Sequence, residues 1–270
     1  MAQELTVGIA GLGAIGLHLA RALDRGVDGL RLVAVSAKDQ AKAAANVAGF
    51  QAKPAITGLA ELAEHADIVV EAAPAAVFEE VATAAIMRGR IFVPSSVGAL
   101  LPRMHLVERA RQNGARIVVP TGALLGLDAV RAAAEGAVSS VTIETRKPPA
   151  GLAGAPYLEI NKIDLTGVDS PRLVFKGNAF DAAQGFPANV NVAAALALAG
   201  IGPERTMVEI WADPGVTRNT HTIRVEADEV RLTMTIENVP SVENPRTGRI
   251  TPLSILACLR GLTSTLKVGS

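Results

Sequence analysis

Three glycines near the head of the chain, Gly11, Gly13 and Gly16, and one histidine in its second half, His221, are of types and spacings that could do chemistry. The glycines follow a short apolar run, Leu5–Ala10, and open a helical pattern over residues 14–25. This spacing allows a tight turn, a backbone that approaches a pyrophosphate closely, and a helix packed hard against its strand. Bare N–H groups around Ala14 and Ile15 then face the anion. The expected ligand is a dinucleotide, NAD or NADP. His221 follows Pro214-Gly-Val-Thr-Arg-Asn219-Thr220 and is expected at the start of a strand, where a side chain can face a cleft. Imidazole titrates near ~6.5 when unperturbed, which suits proton transfer at neutral pH. A lone histidine at a strand start is also at home as a surface or edge residue, so the residue type alone leaves both roles open.

The elements that must position these residues come in two styles. Over the first 120 residues, strand-like runs (Leu5–Ala10, Leu30–Ser36, 66–71, Ile91–Pro94 and 116–119) alternate with helical patterns (14–25, 59–64, 77–88 and 102–113). Such alternation implies parallel strands joined by right-handed crossovers, with ligands at the carboxyl ends of the strands. That rule marks Gly11 to Gly16, Ser36 to Lys38, Ala72-Ala73-Pro74, and the turns near residues 95–98 and 121–122. Past residue 122 a helical stretch (124–135) leads into longer alternating segments at 138–146, 207–213, 221–226 and 230–239. The last two are a hairpin's length apart, so this half reads as a mostly antiparallel open sheet with helices. The fold expected is α/β: a Rossmann-type doubly wound parallel sheet over residues 1–121, then an α+β domain over 122–249 for substrate binding and dimerisation. A C-terminal helix within 250–270 is expected to pack back on the first domain. The Pro- and Gly-rich stretch 147–156 reads as a surface loop or lid.

Composition narrows the class. The 270 residues are 49% apolar but only 3% aromatic, and 26 basic side chains balance 26 acidic ones. A neutral chain offers no broad positive field for a duplex or an anionic membrane, so neither is an expected partner. The single cysteine, Cys258, cannot form an intrachain disulfide and reads as a small core residue. The first residues lack a basic region ahead of a long apolar stretch, and the most apolar later segment, 190–201, is short for a membrane span. A cytoplasmic protein is the expectation. No cysteine cluster, HExxH or histidine pair at helical spacing suggests a metal.

The strand over Leu30–Ser36 ends in Ser36-Ala37-Lys38, without the acid that binds a ribose and repels a 2′-phosphate in NAD-specific sites. NADP is therefore tolerated alongside NAD. Lys38 reads equally as a phosphate contact or a solvated lysine, and Asp39 is another candidate for the ribose. In the second half, three polar clusters sit beside glycine or proline: residues 120–129, 186–193 and Asn219-Thr220-His221. Asn189 and Asn191 could contact a ligand at a helix start or simply cap that helix.

At these clusters the chain resembles the L-aspartate dehydrogenase family. The resemblance rests on Gly11-Leu-Gly-Ala-Ile-Gly16, Pro120-Thr-Gly-Ala-Leu-Leu-Gly-Leu-Asp-Ala129, Phe186-Pro-Ala-Asn-Val-Asn-Val-Ala193, Asn219-Thr-His221 and Glu243-Asn-Pro-Arg-Thr-Gly248, in order along the chain. It implies reversible oxidative deamination of L-aspartate with NAD or NADP, giving iminoaspartate and then oxaloacetate and ammonia, with a place in NAD biosynthesis. It also implies a homodimer, an acid/base role for His221, and nicotinamide contacts from Ala123 and Asn189. The two substrate carboxylates call for cations or N–H donors. Asn219, Thr220, Lys162, Arg246, Arg249 and Arg146 are the candidates, although Arg146 and Lys147 also read as the charged end of a strand. Two alternatives remain: another two-domain NAD(P) oxidoreductase of the homoserine dehydrogenase type, and a non-catalytic dinucleotide sensor on the same fold.

Overall fold

The computed structural model describes residues 4–187, 190–241 and 248–269. By internal packing the chain divides into two units, Met1–Ser96 with Arg103–Pro120 and Pro252–Ser270, and Val97–Pro102 with Thr121–Thr251.

The first unit runs β1 (Leu5–Ala10), α1 (Ala14–Asp24), β2 (Leu30–Ser36), α2 (Gln40–Val47), β3 (Ala55–Ile56), α3 (Leu62–His65), β4 (Ile68–Glu71), α4 (Phe78–Met87), β5 (Ile91–Pro94), α5 (His105–Gln112) and β6 (Arg116–Ile117). Its six strands lie parallel in the order β3-β2-β1-β4-β5-β6. The order reverses between β1 and β4, and a doubly wound sheet places its ligand crevice at such a reversal. The central strands are continuous apolar runs because helices cover both faces. Val7, Ile9, Leu32, Ile68, Val70 and Val93 are buried with Leu19 and Leu23 of α1. Each such side chain contributes about 1.5–3 kcal/mol on burial. Several details differ from the sequence reading: the strand expected from residue 66 starts at Ile68, the helix before it covers Leu62–His65, β6 stops at Ile117, β3 went unanticipated, and so did α2. Its core is small, with Ala43 and Val47 buried in an otherwise exposed helix, so the local pattern is weak.

The second unit begins with α6 (Leu127–Ala134) and continues β7 (Val138–Lys147), α7 (Pro156–Ile160), β8 (Arg172–Asn178), α8 (Ala179–Gly185), α9 (Asn191–Ala199), β9 (Thr206–Ala212), β10 (Asn219–Ala227) and β11 (Arg231–Asn238). Its sheet order is β11-β10-β7-β9-β8, antiparallel except for the parallel pair β7–β9. This is the mostly antiparallel open sheet expected, with β10 and β11 as the anticipated hairpin. Strand alternation gives one buried face, carrying Val141, Ile143, Thr145 and Lys147 on β7, Val208 and Ile210 on β9, and His221, Ile223 and Val225 on β10. Helices α6, α8 and α9 pack over it. In α9 the buried residues are nearly all alanine, which lets the helix approach the sheet closely. The opposite face carries threonines and ion pairs, including Thr222 with Thr235 at 3.1 Å and Lys176 with Glu209 at 2.9 Å. Tyr157, Phe175 and Phe186 form an aromatic cluster with centroids 5.2–5.6 Å apart.

The last helix, α10 (Ile250–Thr263), contributes Ile255 and Leu259 to the core of the first unit, and Cys258 is partly buried beside them. No helix among the described residues is long and apolar enough to cross a membrane.

Candidate active site

In the first unit each glycine of the opening turn has its own steric reason. Gly11 adopts φ +93°, and a Cβ there would sit 2.5 Å from the Ala72 carbonyl oxygen. A Cβ on Gly16 would run into the Gly11 carbonyl oxygen, so this glycine lets α1 lie against the turn. Gly13 is different: a Cβ there would meet nothing within 4 Å. Its surroundings are open where a pyrophosphate must approach, and it caps α1 without any side-chain bond to the first-turn N–H groups. Those donors around Ala14, Ile15 and Gly16 carry the positive end of the helix dipole. The cradle fits a dinucleotide phosphate.

Ser36 is buried, and its carbonyl accepts the Gly11 N–H at 2.7 Å, tying the end of β2 to the turn. Lys38 is exposed. Asp39 accepts the Lys42 N–H at 2.9 Å through one carboxylate oxygen as the N-cap of α2. Ala72 donates its N–H to the Ala10 carbonyl at 2.8 Å, and Pro74 starts the short 3₁₀ turn Ala75–Val77. Between them the sequence reading missed Glu71. Its carboxylate is fully buried and accepts the Ala73 N–H at 3.1 Å, the Ser96 N–H at 2.9 Å and the Ser96 hydroxyl at 3.0 Å. Burial raises its pKa above the ordinary carboxylate value, against the lowering effect of the Ser96 bonds. Glu71 thus laces together the loops after β4 and β5. The available signal was an acid ending an otherwise apolar strand.

In the second unit His221 does not open its strand. It is the third residue of β10, flanked by β7 and β11, and only 2% exposed. Its Nδ1 lies 3.0 Å from the Thr145 hydroxyl, directly across the β7–β10 ladder. Burial, and then the Lys147 charge, push the imidazole pKa down to about 3. The ring is therefore neutral at physiological pH, which corrects the expectation of a group titrating near ~6.5. Thr145 and Lys147, both 5% exposed, share its sheet face and were missed as parts of a site. Polar residues at alternate positions of a strand whose other inward residues are Val141 and Ile143 were the readable signal. Asn238 was missed too. Buried at the end of β11, its amide donates to the Ala123 carbonyl at 3.0 Å and so holds the loop that carries Ala123.

The other candidates separate. Asn219 falls on the His221 face by strand alternation, whereas Thr220 falls on the opposite face with Arg146, so these two do not join His221. Arg146 is committed elsewhere, to Glu144 at 2.6 Å and Asp213 at 3.0 Å, and it stacks over Trp211 at 4.8 Å. Its pKa is raised chiefly by the Glu144 and then the Asp213 bonds. Lys162, with φ +53°, lines a cavity of about 580 Å³ over residues 149–166, a lining that does not include His221. Arg249 is exposed, while Asn189 and Arg246 lie outside the described residues. Asn191 does not cap α9: it is the helix's first residue, and its side chain accepts the Gly98 N–H at 2.9 Å. Burial pushes the Cys258 thiol up to about 11, which leaves little thiolate for nucleophilic chemistry.

Two family models match the chain, "Aspartate dehydrogenase, C-terminal" over residues 128–262 and "Homoserine dehydrogenase, NAD binding domain" over residues 11–120. An L-aspartate dehydrogenase of Bradyrhizobium diazoefficiens is 53% identical over 268 residues, covering 99% of this chain and 95% of that one. The chain belongs to the L-aspartate dehydrogenase family. L-aspartate dehydrogenase 3 of Bordetella bronchiseptica is 52% identical, covering 99% of this chain and 98% of its own. The crystal structure of aspartate dehydrogenase from Thermotoga maritima matches with a TM-score of 0.74 at 25% identity, covering 98% of this chain and 99% of that one. A homoserine dehydrogenase from Thiobacillus denitrificans matches with a TM-score of 0.63 at 15% identity, covering 96% and 73%, a likeness of fold alone. The model named for homoserine dehydrogenase covers the nucleotide-binding half alone, whereas the L-aspartate dehydrogenase relatives match along nearly the whole chain.

Proposed function

We propose that the chain catalyses the NAD(P)-dependent oxidative deamination of L-aspartate to iminoaspartate, which water converts to oxaloacetate and ammonia, and the reverse reaction. The observation that carries this reading is His221, a buried neutral imidazole held through one ring nitrogen, in a chain that matches L-aspartate dehydrogenases along nearly its whole length. Bound NAD(P) supplies the hydride acceptor. The Gly11 to Gly16 turn and the bare first turn of α1 receive its pyrophosphate, Ser36 and Lys38 flank the adenosine ribose, and Ala72, Ala73 and Pro74 border the turn. Ala123 and Asn189 take the nicotinamide end, as the family resemblance implies. His221 accepts a proton from the substrate ammonium or from the attacking water, and returns it in the amination direction. Asn219 and Arg246 are the groups proposed for the substrate carboxylates.

The test is to follow reduced-cofactor absorbance with L-aspartate against a panel of amino acids and hydroxy acids, with NAD and NADP in parallel. Turnover of L-aspartate with either cofactor is expected. Activity on homoserine without L-aspartate would overturn the reading, and cofactor binding without turnover of any compound would favour the sensor alternative.

We further infer a cytoplasmic homodimer that feeds iminoaspartate to NAD biosynthesis. The uncovered sheet face of the second unit, with Leu173 and Met207 exposed, supports self-association, and the lone cysteine suits a reducing compartment. Light scattering and isotope tracing from L-aspartate into NAD are the corresponding measurements.

A further inference from the structure

A histidine that moves protons needs one ring nitrogen held and the other presented to the reactants. In this chain the holder is a hydroxyl. Thr145 Oγ1 lies 3.0 Å from His221 Nδ1, both residues are buried, and they face each other across the β7–β10 ladder. On the other flank, Ile236 of β11 is the register partner of His221. Helix α6, which packs on β10, buries Leu127, Val130 and Ala133. Lys147 is the charged group on the same face of β7.

We propose that Thr145 is the positioning residue of His221, holding Nδ1 so that Nε2 serves the substrate, and that the substrate's second carboxylate supplies the counter-charge this hydroxyl lacks. The proposal rests on the acid/base role of His221 argued above.

A hydroxyl can accept from Nδ1–H or donate to bare Nδ1. In the first arrangement Nε2 carries a lone pair and works as a base; once it has taken the substrate's proton the ring is an imidazolium, the acid of the reverse direction, and its Nδ1–H still donates to the hydroxyl. One buried acceptor therefore holds Nδ1–H in both directions of a reversible reaction. A carboxylate in place of Thr145 would favour the imidazolium outright. The hydroxyl does not, and burial and Lys147 both act against the charged ring. Burial and Lys147 are the influences on the ring among the described residues, so the negative charge is assigned to the substrate. L-aspartate brings two carboxylates and one ammonium, net −1, whereas a one-carboxylate amino acid brings none. In the oxidation, an N–H bond of the ammonium breaks, its proton goes to Nε2, and its electron pair stays on nitrogen. That pair becomes the C=N π bond as Cα–H leaves with its own pair to oxidised NAD(P). A missing second carboxylate then lowers kcat itself, beyond any loss of binding.

The experiment compares wild type, Thr145→Ser, Thr145→Val and Thr145→Ala by kcat, KM, the pH profile and cofactor affinity. It also records the His221 ring ¹⁵N signals of the substrate-free protein, assigned with His221→Gln. Thr145→Val is expected to lose about 10–10²-fold in kcat with cofactor affinity retained, to shift the pH profile, and to alter the ring signals. Thr145→Ser should restore turnover to within a few-fold. If the valine variant does not fold, the alanine variant carries the same comparison. Wild-type kcat, pH profile and ring signals in a hydroxyl-free variant would overturn the assignment. At saturation, L-asparagine should fall below L-aspartate in kcat by roughly 10²-fold, and equal kcat with only KM raised would overturn the counter-charge. If wild type turns over no amino acid, the functional reading fails, and the ring signals still decide the place of Thr145.

Discussion

At the scale of single residues, His221 and Lys38 stand at opposite extremes of burial, and the difference sets what their replacement should do. His221→Ala removes the group assigned to proton transfer and is expected to cost ~10²–10⁴ in turnover while leaving cofactor affinity near wild type. Near-normal turnover, measured by reduced-cofactor absorbance, would remove the histidine from the mechanism. Lys38 is exposed, and beside the helix cap Asp39 it is the cationic side chain at the end of β2 for a 2′-phosphate. Lys38→Ala should therefore lower kcat/KM with NADP more than with NAD, by about tenfold for a charge-assisted contact worth ~1.5 kcal/mol. An unchanged NADP-to-NAD ratio would make it a solvated lysine.

At the scale of elements, the β1–α1 turn works by exclusion of side chains. Gly16→Ala sets a methyl against the Gly11 carbonyl, so α1 must move off its strand. Overpacking of this kind costs about 1–3 kcal/mol, and the displaced first turn should lose cofactor affinity as well. Fluorescence titration with NADH and NADPH, beside a thermal melt, reads both effects, and a variant with normal affinity would mean that the helix start does not bind the phosphate. This turn was fully legible in the sequence because its reasons are local: an apolar strand, three spaced glycines and a helix. The placement of His221 was not. Asn219-Thr220-His221 looked like the start of a strand at an element end, but whether β10 lies at an edge or in the middle depends on β7, some 75 residues earlier in the chain. The parallel β7–β9 pair is non-local in the same way, with α7, β8, α8 and α9 intervening. Short elements such as α2 and α8 bury too few side chains to leave a periodic signature. Thr145 and Asn238 did not stand out within their strands because only the assembled sheet shows which face they occupy.

At the scale of the whole molecule, a histidine kept neutral by burial ties stability to pH. The folded ring has its pKa near 3, while in the unfolded chain it titrates near ~6.5. Between these values the unfolded chain binds a proton that the folded chain refuses, so stability is complete above ~6.5 and is lost as pH falls. The limiting slope is about 1.4 kcal/mol per pH unit, and from pH 6.5 to 4.5 the loss from this one group comes to about 2 kcal/mol. Glu71 acts with the opposite sign. Its folded pKa is raised, so its contribution is present below the unfolded value and disappears as pH rises through the folded one. The two are separated by comparing wild type with His221→Gln, which keeps Glu71 and removes only the imidazole. Urea unfolding at pH 6.5, 5.5 and 4.5, followed by the chain's single tryptophan, Trp211 on β9, reports on the sheet that holds His221. The wild-type curve should fall more steeply than the glutamine variant's by about 2 kcal/mol across this range. Parallel curves would mean that the imidazole accepts its proton in the folded protein as readily as in the unfolded chain. The desolvation that makes substrate charge necessary for catalysis would then be absent.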